Sequence, residues 1–318
     1  MENLGSAFTI LSVVVPVYKE EESIEPFLSR LLPVIANITT RYEVIFCMDP
    51  SPDGTEAVIF AAGEGNPNIK LLKLSRRFGQ PAATMAGLMY AKGGRCVVID
   101  IDLQDPPELI EKLYRKMDEG FDVVYAKRRN RDGETITKKL VSKIGYVVIN
   151  ALSEVKIPRD SGDFRILSRR VVEELRGLNE THGFLRGLVA FVGFNQTFVE
   201  YDRDKRLVGK GNYNRFLGSL RIGLNGLIGF SSKPLNLMSI SGAIIAVISF
   251  LLGIWYFLQH FFGTQLSPGL STTVIFVSFF AGVQLLSLGL LGEYVSRIYD
   301  EVKRRPMYIV DKKMNFDE

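Results

Sequence analysis

The stretch VVIDIDLQDPPELI, residues 97–110, places acidic and amide side chains directly after a run of apolar residues. The apolar run 97–99 has the pattern of a strand that is buried on both faces, as in a parallel sheet between helices. Pro106 and Pro107 end the polar turn and predict a helix that opens at Glu108. A strand, a polar turn and a helix in this order favour an α/β fold, in which ligands bind beyond the carboxyl ends of the strands.

The oxygen-bearing side chains of this turn suit a divalent cation. Asp100, Asp102 and Gln104 are spaced two residues apart. Carboxylate and amide oxygens are ligands that Mg²⁺ and Mn²⁺ accept, and the remaining positions usually go to substrate phosphates. An ordinary turn in which an Asp only caps the next helix has the same short pattern, so an isolated Asp-X-Asp does not decide between the two.

Composition limits the class of protein. The chain has 318 residues and a net charge of +4, which is too mild to indicate a nucleic-acid partner. Apolar residues make up 47% and the mean hydropathy is +0.12, which is high for a soluble protein. Cys47 and Cys96 lie in predicted strands without the spacing of metal ligands, so we expect both to be buried as small apolar side chains.

Apolar runs along the first two thirds of the chain predict strands that alternate with helices. Strands are predicted at 9–18, 42–47, 69–74, 97–99, 121–126 and 198–205. This alternation predicts a mostly parallel sheet with helices on both faces. A Rossmann dehydrogenase has the same alternation but needs GxGxxG after the first strand. Pro16 and Tyr18 stand there instead, so we do not expect dinucleotide binding.

Several longer strings resemble one family. IDLQDPPELI (101–110) closely resembles the signature of family 2 glycosyltransferases of the dolichyl-phosphate mannose synthase and bacterial polyprenyl-phosphate glycosyltransferase type. PVYKEE (16–21), DSGDFRILSRR (160–170), RLVGKGNY (206–213) and GEYVSRIYDEVKRRPMYIV (292–310) resemble further segments of that family. The resemblance implies a GT-A domain, Rossmann-like with a mostly parallel sheet, that transfers a sugar with inversion at the anomeric carbon.

The resemblance also implies a donor site. Asp100, Asp102 and Gln104 would hold Mg²⁺ or Mn²⁺ on the diphosphate of a nucleotide sugar. The residues expected around the donor nucleotide are Pro16, Val17, Tyr18, Glu20, Asp49, Asp100, Ile101 and Arg128. Asp49 would accept the N3 proton of a uracil, although capping of the next helix by Asp49 or Asp53 is the alternative.

The expected catalytic residues are Asp102, Asp160, Asp163 and Arg206. Asp160 and Asp163 flank a glycine in a predicted loop, and by the resemblance both would face the sugar or the acceptor. Arg206 opens a Gly-rich basic loop, which would fold over phosphates as a lid.

The last third of the chain predicts membrane segments. No Asp, Glu, Lys or Arg lies between Lys233 and Glu293. Within this block, Leu235–Leu258 and Thr272–Gly292 predict two transmembrane helices, the first about 36 Å long against a hydrocarbon core of about 30 Å. Basic residues flank the outer ends of the pair, so the positive-inside rule predicts that both termini are cytoplasmic. Residues 215–233 predict an amphipathic helix at the bilayer surface.

Four regions are therefore predicted. They are a GT-A domain (1–205), an active-site loop with juxtamembrane helices (206–233), a transmembrane hairpin (234–296) and a cytoplasmic tail (297–318).

The predicted activity is transfer of a hexose, foremost glucose from UDP-glucose, to a polyprenyl phosphate such as undecaprenyl phosphate, at the inner membrane of a bacterium. Two alternatives stay open: a non-catalytic scaffold that binds nucleotide sugar, and a polysaccharide synthase, which would need more than two spans. Glycines 282, 289 and 292 would permit close helix contacts and hence a homo-oligomer.

Overall fold

A computed structural model describes residues 9–129, 161–178, 185–202, 228–229, 231–262 and 269–316. The strands are β1 (Leu11–Val17), β2 (Tyr42–Met48), β3 (Ile69–Leu74), β4 (Arg95–Val98), β5 (Val123–Arg128), β6 (Ser161–Ser168), β7 (Gln196–Tyr201) and β8 (Val310–Met314). The helices are α1 (Glu21–Ala36), α2 (Thr55–Gly65), α3 (Gln80–Tyr90), α4 (Leu109–Met117), α5 (Arg169–Gly177), α6 (Leu185–Val192), α7 (Lys233–Phe261) and α8 (Leu270–Val302).

The strands form one sheet in the order β7-β5-β6-β4-β1-β2-β3-β8. Strands β1 to β5 and β7 run parallel to one another, whereas β6 and β8 run antiparallel to their neighbours. The predicted mostly parallel α/β sheet is therefore confirmed. Because six strands point the same way, their carboxyl ends meet at one edge, where ligands bind in such sheets.

Helices cover both faces of the sheet. One buried cluster joins the sheet to α1, α2 and α4, and a second joins the other face to α3, α5 and α6. In the first cluster, the rings of Phe27 and Phe46 meet edge to face at a centroid distance of 6.5 Å. The central strands are buried on both faces, which explains why their sequences are continuous apolar runs rather than alternating ones.

Residues 161–168 form a strand where the sequence predicts a loop, so that prediction is wrong. Asp and Gly are depleted in strands, but β6 lies between β4 and β5 and buries Phe164, Ile166 and Leu167. The Arg165 side chain is also buried and donates to the Gly162 carbonyl oxygen at 2.9 Å. Burial between two strands outweighs the local turn signals.

A buried polar cluster lies near the amino ends of β1, β2 and β3. Glu43 is 1% exposed. Its Oε1 accepts from the Ser12 hydroxyl at 2.5 Å and from the Lys92 N–H at 2.6 Å, and its Oε2 accepts from Lys70 Nζ at 2.8 Å. The Ser12 hydroxyl in turn accepts from the Gly93 N–H at 2.8 Å. This amino-edge cluster joins three strands and the loop before β4.

Two helices are long and apolar enough to cross a membrane. The apolar segments are Lys233–Trp255 in α7 and Ile275–Val302 in α8, and none of their most apolar window is buried within the chain. The second helix continues past Glu293 into charged sequence, and its Tyr294 hydroxyl donates to the Ser231 carbonyl oxygen at 2.8 Å. Most of the predicted amphipathic helix at 215–233 lies outside the described residues.

The chain returns to the sheet after α8. Strand β8 pairs antiparallel with β3, and the Asn315 side chain donates to the carbonyl oxygens of Gly63 and Ile69 at 3.0 and 2.8 Å. Tyr308 and Phe316 pack against the second core cluster. Part of the segment that the sequence predicts as a tail therefore completes the sheet and holds the end of α8 to it.

Candidate active site

The carboxyl edge of the sheet gathers most of the predicted site residues. Tyr18 follows β1, Asp49 follows β2, the turn 100–105 follows β4, and Arg128 ends β5. The antiparallel register of β4 with β6, from Arg95↔Ser168 to Val98↔Arg165, brings Asp163 at the amino end of β6 to the same edge. Residues far apart in sequence thus share one surface.

The turn after β4 has a defined geometry. Asp100 and Asp102 are half-buried. Asp100 Oδ1 accepts from Gln80 Nε2 at 2.7 Å, and Asp102 Oδ1 accepts from the Gln104 N–H at 3.1 Å. Leu103 has a φ of 56° and is 2% exposed. The Ile101 side chain lies in the first core cluster, so any donor contact by Ile101 would involve its backbone.

The donor set of this turn fits a cation that shares its coordination with a substrate. The described part of the chain has no group of three or more His, Cys, Asp and Glu side chains that would hold a metal by itself. Mg²⁺ is commonly bound by only one or two carboxylates together with phosphate oxygens. The bonds from Gln80 and from the Gln104 N–H come from neutral donors, so they orient the two carboxylates without cancelling their charge.

Asp49 is committed to a neighbouring loop. It is 3% exposed, and its two carboxylate oxygens accept from the N–H groups of Phe78 and Gly79 at 3.0 and 2.8 Å. Gly79 has a φ of 94°, a conformation that favours glycine. Asp49 therefore joins the loop after β3 to the end of β2, while Asp53 accepts from the Thr55 hydroxyl at 2.7 Å at the start of α2.

The residues after β1 form an aromatic and basic surface. The Arg77 guanidinium stacks on the Tyr18 ring at 4.2 Å, and Lys19 Nζ lies 5.6 Å from the same ring. The Glu20 N–H donates to the Thr55 hydroxyl at 3.1 Å. Pro16 and Val17, also expected near the donor, are buried within β1 beside β2.

Three arginines surround Asp163. Arg186 donates to both of its carboxylate oxygens, at 2.8 and 3.2 Å, and Arg165 Nη2 lies 3.8 Å from Oδ1. Burial by itself would raise the pKa of Asp163, but the charges of Arg186, Arg165 and Arg128 outweigh it and the pKa is lowered. Burial lowers the pKa of Arg165 to about 10, so these groups remain ionised at neutral pH.

Sequence reasoning did not single out Asp105, Tyr201 and Arg186. Asp105 is 1% exposed and contacts both Tyr201 and Arg128. A signal for Asp105 was present, because it lies in the same polar turn as Asp102. Nothing in the sequence of β7 or α6 marks Tyr201 or Arg186, since only the fold brings them to this edge. Two of the predicted catalytic residues, Asp160 and Arg206, lie outside the described ranges.

Comparison with known proteins places this site in a family context. A family model described as Glycosyl transferase family 2 matches residues 12–176. An uncharacterized glycosyltransferase of Synechocystis is 41% identical over 300 residues, which is 94% of this chain and 94% of that protein. The SfII prophage-derived bactoprenol glucosyl transferase of Shigella flexneri is 38% identical over 302 residues, which is 95% of this chain and 97% of that protein.

Solved structures support the fold. The crystal structure of glucosyl-3-phosphoglycerate synthase from Mycobacterium tuberculosis, in complex with Mn²⁺, UDP-glucose and phosphoglyceric acid, is similar with a TM-score of 0.50. It is 20% identical and covers 69% of this chain and 78% of that chain. The likeness bears on the fold alone, and it confirms the predicted GT-A architecture.

Proposed function

The chain belongs to glycosyl transferase family 2, and from that premise we propose that it transfers glucose from UDP-glucose to a polyprenyl phosphate of the undecaprenyl type. Relatives named bactoprenol glucosyl transferase match 94–95% of this chain at 34–38% identity, which is the observation that carries the proposal. These matches extend over the two apolar helices as well as the GT-A domain. The similarity therefore covers both the domain proposed to bind the sugar donor and the helices proposed to lie in the membrane.

The carboxyl edge is suited to the departure of a nucleoside diphosphate. Cleavage of the bond between the sugar and the diphosphate builds negative charge on UDP, and fixed positive charge at that point lowers the barrier. Asp100 and Asp102, with Gln104, would hold Mg²⁺ or Mn²⁺, which supplies that charge as a Lewis acid without proton transfer. Tyr18 and Glu20 lie at the end of the neighbouring strand β1, where the uridine would lie. Asp49 holds the loop at Phe78 and Gly79 beside that position, and Arg128 would face the phosphates.

The acceptor needs little help from a base. A phosphate monoester has a second pKa of about 6 and is therefore mostly a dianion at neutral pH. Asp163 is ionised and in contact with Arg186 and Arg165. It would therefore orient these arginines toward an anionic acceptor rather than remove a proton from it. Direct attack of the phosphate oxygen on the anomeric carbon gives the inversion expected of the family. Asp160 and Arg206 remain proposed contacts of the acceptor and the lid.

The membrane arrangement follows from the two apolar helices. We place the GT-A domain and both termini on the cytoplasmic side of a bacterial inner membrane, by the positive-inside rule. Gly282, Gly289 and Gly292 lie along α8, where an added Cβ would meet none of the described residues within 4 Å. That surface leaves room for close contact with a second copy, so a homo-oligomer is part of the proposal.

The test is a transfer assay with purified full-length protein in lipid nanodiscs. Radiolabelled UDP-glucose is supplied with and without undecaprenyl phosphate, in Mn²⁺, Mg²⁺ or EDTA, beside a panel of other UDP-hexoses. We expect labelled glucose in the lipid fraction only when acceptor and metal are both present. Donor binding without any lipid-linked product would support the scaffold alternative instead, and a growing polymer would support a polysaccharide synthase.

A further inference from the structure

The proposed cation turn is held in a conformation that its own sequence does not favour. Leu103 has a φ of 56°, in the left-handed region that non-glycine residues rarely adopt. Such conformations cost about 1–3 kcal/mol and persist only where the surroundings hold them. The bond from the Gln104 N–H to Asp102 is local to the turn. The first half of the turn is held from outside, because Gln80 donates to Asp100 and the Ile101 and Leu103 side chains lie in the core. An anchor at the last residue of the turn would fix its second half as well.

Asp105 provides that anchor. Its Oδ1 accepts a hydrogen bond from the Tyr201 hydroxyl, and its Oδ2 lies 3.6 Å from Arg128 Nη2. Arg128 Nε closes the triangle by donating to the Tyr201 hydroxyl oxygen at 3.2 Å. Tyr201 and Arg128 are the last residues of β7 and β5 and pair with each other in the parallel register. The turn after β4 is thereby tied to two strands on the far side of β6.

The three side chains have ionisation states and contacts that favour their hydrogen bonds to one another. Burial alone would lower the pKa of Arg128, but Asp105 and Tyr201 outweigh it and raise that pKa. Burial and the Asp105 charge both raise the pKa of the Tyr201 hydroxyl, which therefore stays protonated and able to donate. The Tyr201 ring packs edge to face on Phe164. An added Cβ at Gly162 would lie 3.3 Å from Arg128 Nη2, so glycine leaves space for the guanidinium.

We propose that the Tyr201–Asp105–Arg128 triangle is a positioning device that sets Asp100 and Asp102 in the geometry that the divalent cation requires. This inference rests on the proposed function, because it needs a cation at the turn. None of the three residues has to touch the cation, since they act through the backbone of residues 102–105. Loss of partners that orient metal ligands typically weakens metal binding by about 10–100-fold.

Tyr201→Phe is the sharpest test, because it removes one hydroxyl and keeps the ring on Phe164. Mn²⁺ binding to the full-length protein is titrated by electron paramagnetic resonance in the presence of UDP, and hydrogen exchange is followed at residues 100–105. We expect the Mn²⁺ dissociation constant to rise about tenfold and exchange in the turn to quicken. At saturating Mn²⁺ the transfer rate should return to near the wild-type rate.

Glu200→Gln is the matched control. It breaks the ion pair between Lys127 and Glu200, at 2.9 Å, which joins the same two strands one position before Arg128 and Tyr201. This variant should leave Mn²⁺ affinity and turn exchange unchanged. Should Tyr201→Phe fold poorly, Asp105→Asn keeps the shape of the side chain but removes the charge that faces Arg128, and it should shift Mn²⁺ affinity and turn exchange in the same direction.

The outcomes separate the two proposals. Wild-type protein that binds no Mn²⁺ beside UDP would overturn the cation site itself, and the positioning role with it. The second outcome is that the wild-type protein binds Mn²⁺, while Tyr201→Phe loses thermal stability but keeps the wild-type Mn²⁺ affinity and turn exchange. This outcome would overturn only the positioning role. The triangle would then be a buried structural network.

Discussion

The two edges of the central sheet both carry carboxylates, but in different surroundings. At the amino edge, Glu43 is buried and receives a hydroxyl, an N–H and an ammonium group within 2.8 Å. At the carboxyl edge, Asp100 and Asp102 are half-exposed, and each has one oxygen oriented by a neutral donor. The first carboxylate is buried against the ammonium group of Lys70, whereas the second pair is half-exposed at the strand ends.

A carboxylate that stabilises the fold and a carboxylate that binds a ligand need different surroundings. A buried carboxylate needs a full set of partners, because desolvation of an unpaired charge costs several kcal/mol. A carboxylate that is to hold a cation must instead keep its charge available and its position fixed. We propose that Asp105, Arg128 and Tyr201, which lie behind the turn, fix the position of Asp100 and Asp102.

Asp102→Asn should have the largest effect. It removes one of the two carboxylate charges that we propose hold the cation while keeping the shape of the side chain, so we expect transfer to the lipid acceptor to fall about 10³-fold, with little change in melting temperature. Transfer of labelled glucose from UDP-glucose is the measurement. Asp53→Asn, at the start of α2 near the same edge, is the control and should remain active. Full turnover by Asp102→Asn would remove Asp102 from the site.

Glu43→Gln tests the opposite edge. The substitution leaves Lys70 buried without its counter-charge, so the free energy of unfolding should fall by about 3 kcal/mol. The transfer rate per folded molecule should not change, because the cluster lies at the other end of the strands. Thermal unfolding in detergent and the transfer assay measure the two quantities. The double variant with Lys70→Met should recover part of the stability, and a stable but inactive Glu43→Gln would contradict the proposed division between the edges.

Asp163→Asn should have the smallest effect of the three, and one that depends on pH. The pKa of Asp163 is lowered in the folded protein, so its stabilising contribution is complete above the unfolded-state pKa of about 3.9 and is lost as the pH falls through the folded-state value. We expect the variant to be less stable by about 2 kcal/mol near neutral pH.

Unfolding of both proteins by denaturant at several pH values gives the comparison. The stability difference should stay constant from pH 8 to pH 5 and narrow only below about pH 4. An ionisation near neutral pH that appears in the wild-type rate and vanishes in Asp163→Asn would show instead that Asp163 acts as a base.

Much of the fold could be predicted from sequence, and the exceptions have physical causes. Strands β1 to β4 are largely apolar runs, so their burial follows from local composition. Strand β6 contains Gly162, Asp163 and Arg165, which resemble a turn locally and become a strand only because β4 and β5 bury them. Strand β8 follows the long apolar helix α8 and is mostly charged, so its pairing with β3 depends on a contact between residues more than 200 positions apart.

The candidate site divides in the same way. Asp100, Asp102 and Gln104 are recognisable because one short turn holds all three oxygens. The surroundings of Asp163 and the partners of Asp105 could not be predicted, since Arg186 and Tyr201 come from other elements and have no motif of their own.

Local patterns of side chains suffice to predict the alternation of strands and helices, the polar turn after β4, the two apolar helices and the resemblance to family 2 glycosyltransferases. Which charges meet depends instead on the folded arrangement of the chain. The parallel strands place their carboxyl ends together, β6 returns Asp163 to that edge, and β8 joins the end of α8 to the sheet. Contacts of this kind depend on strand order and register, which no short stretch of the chain contains.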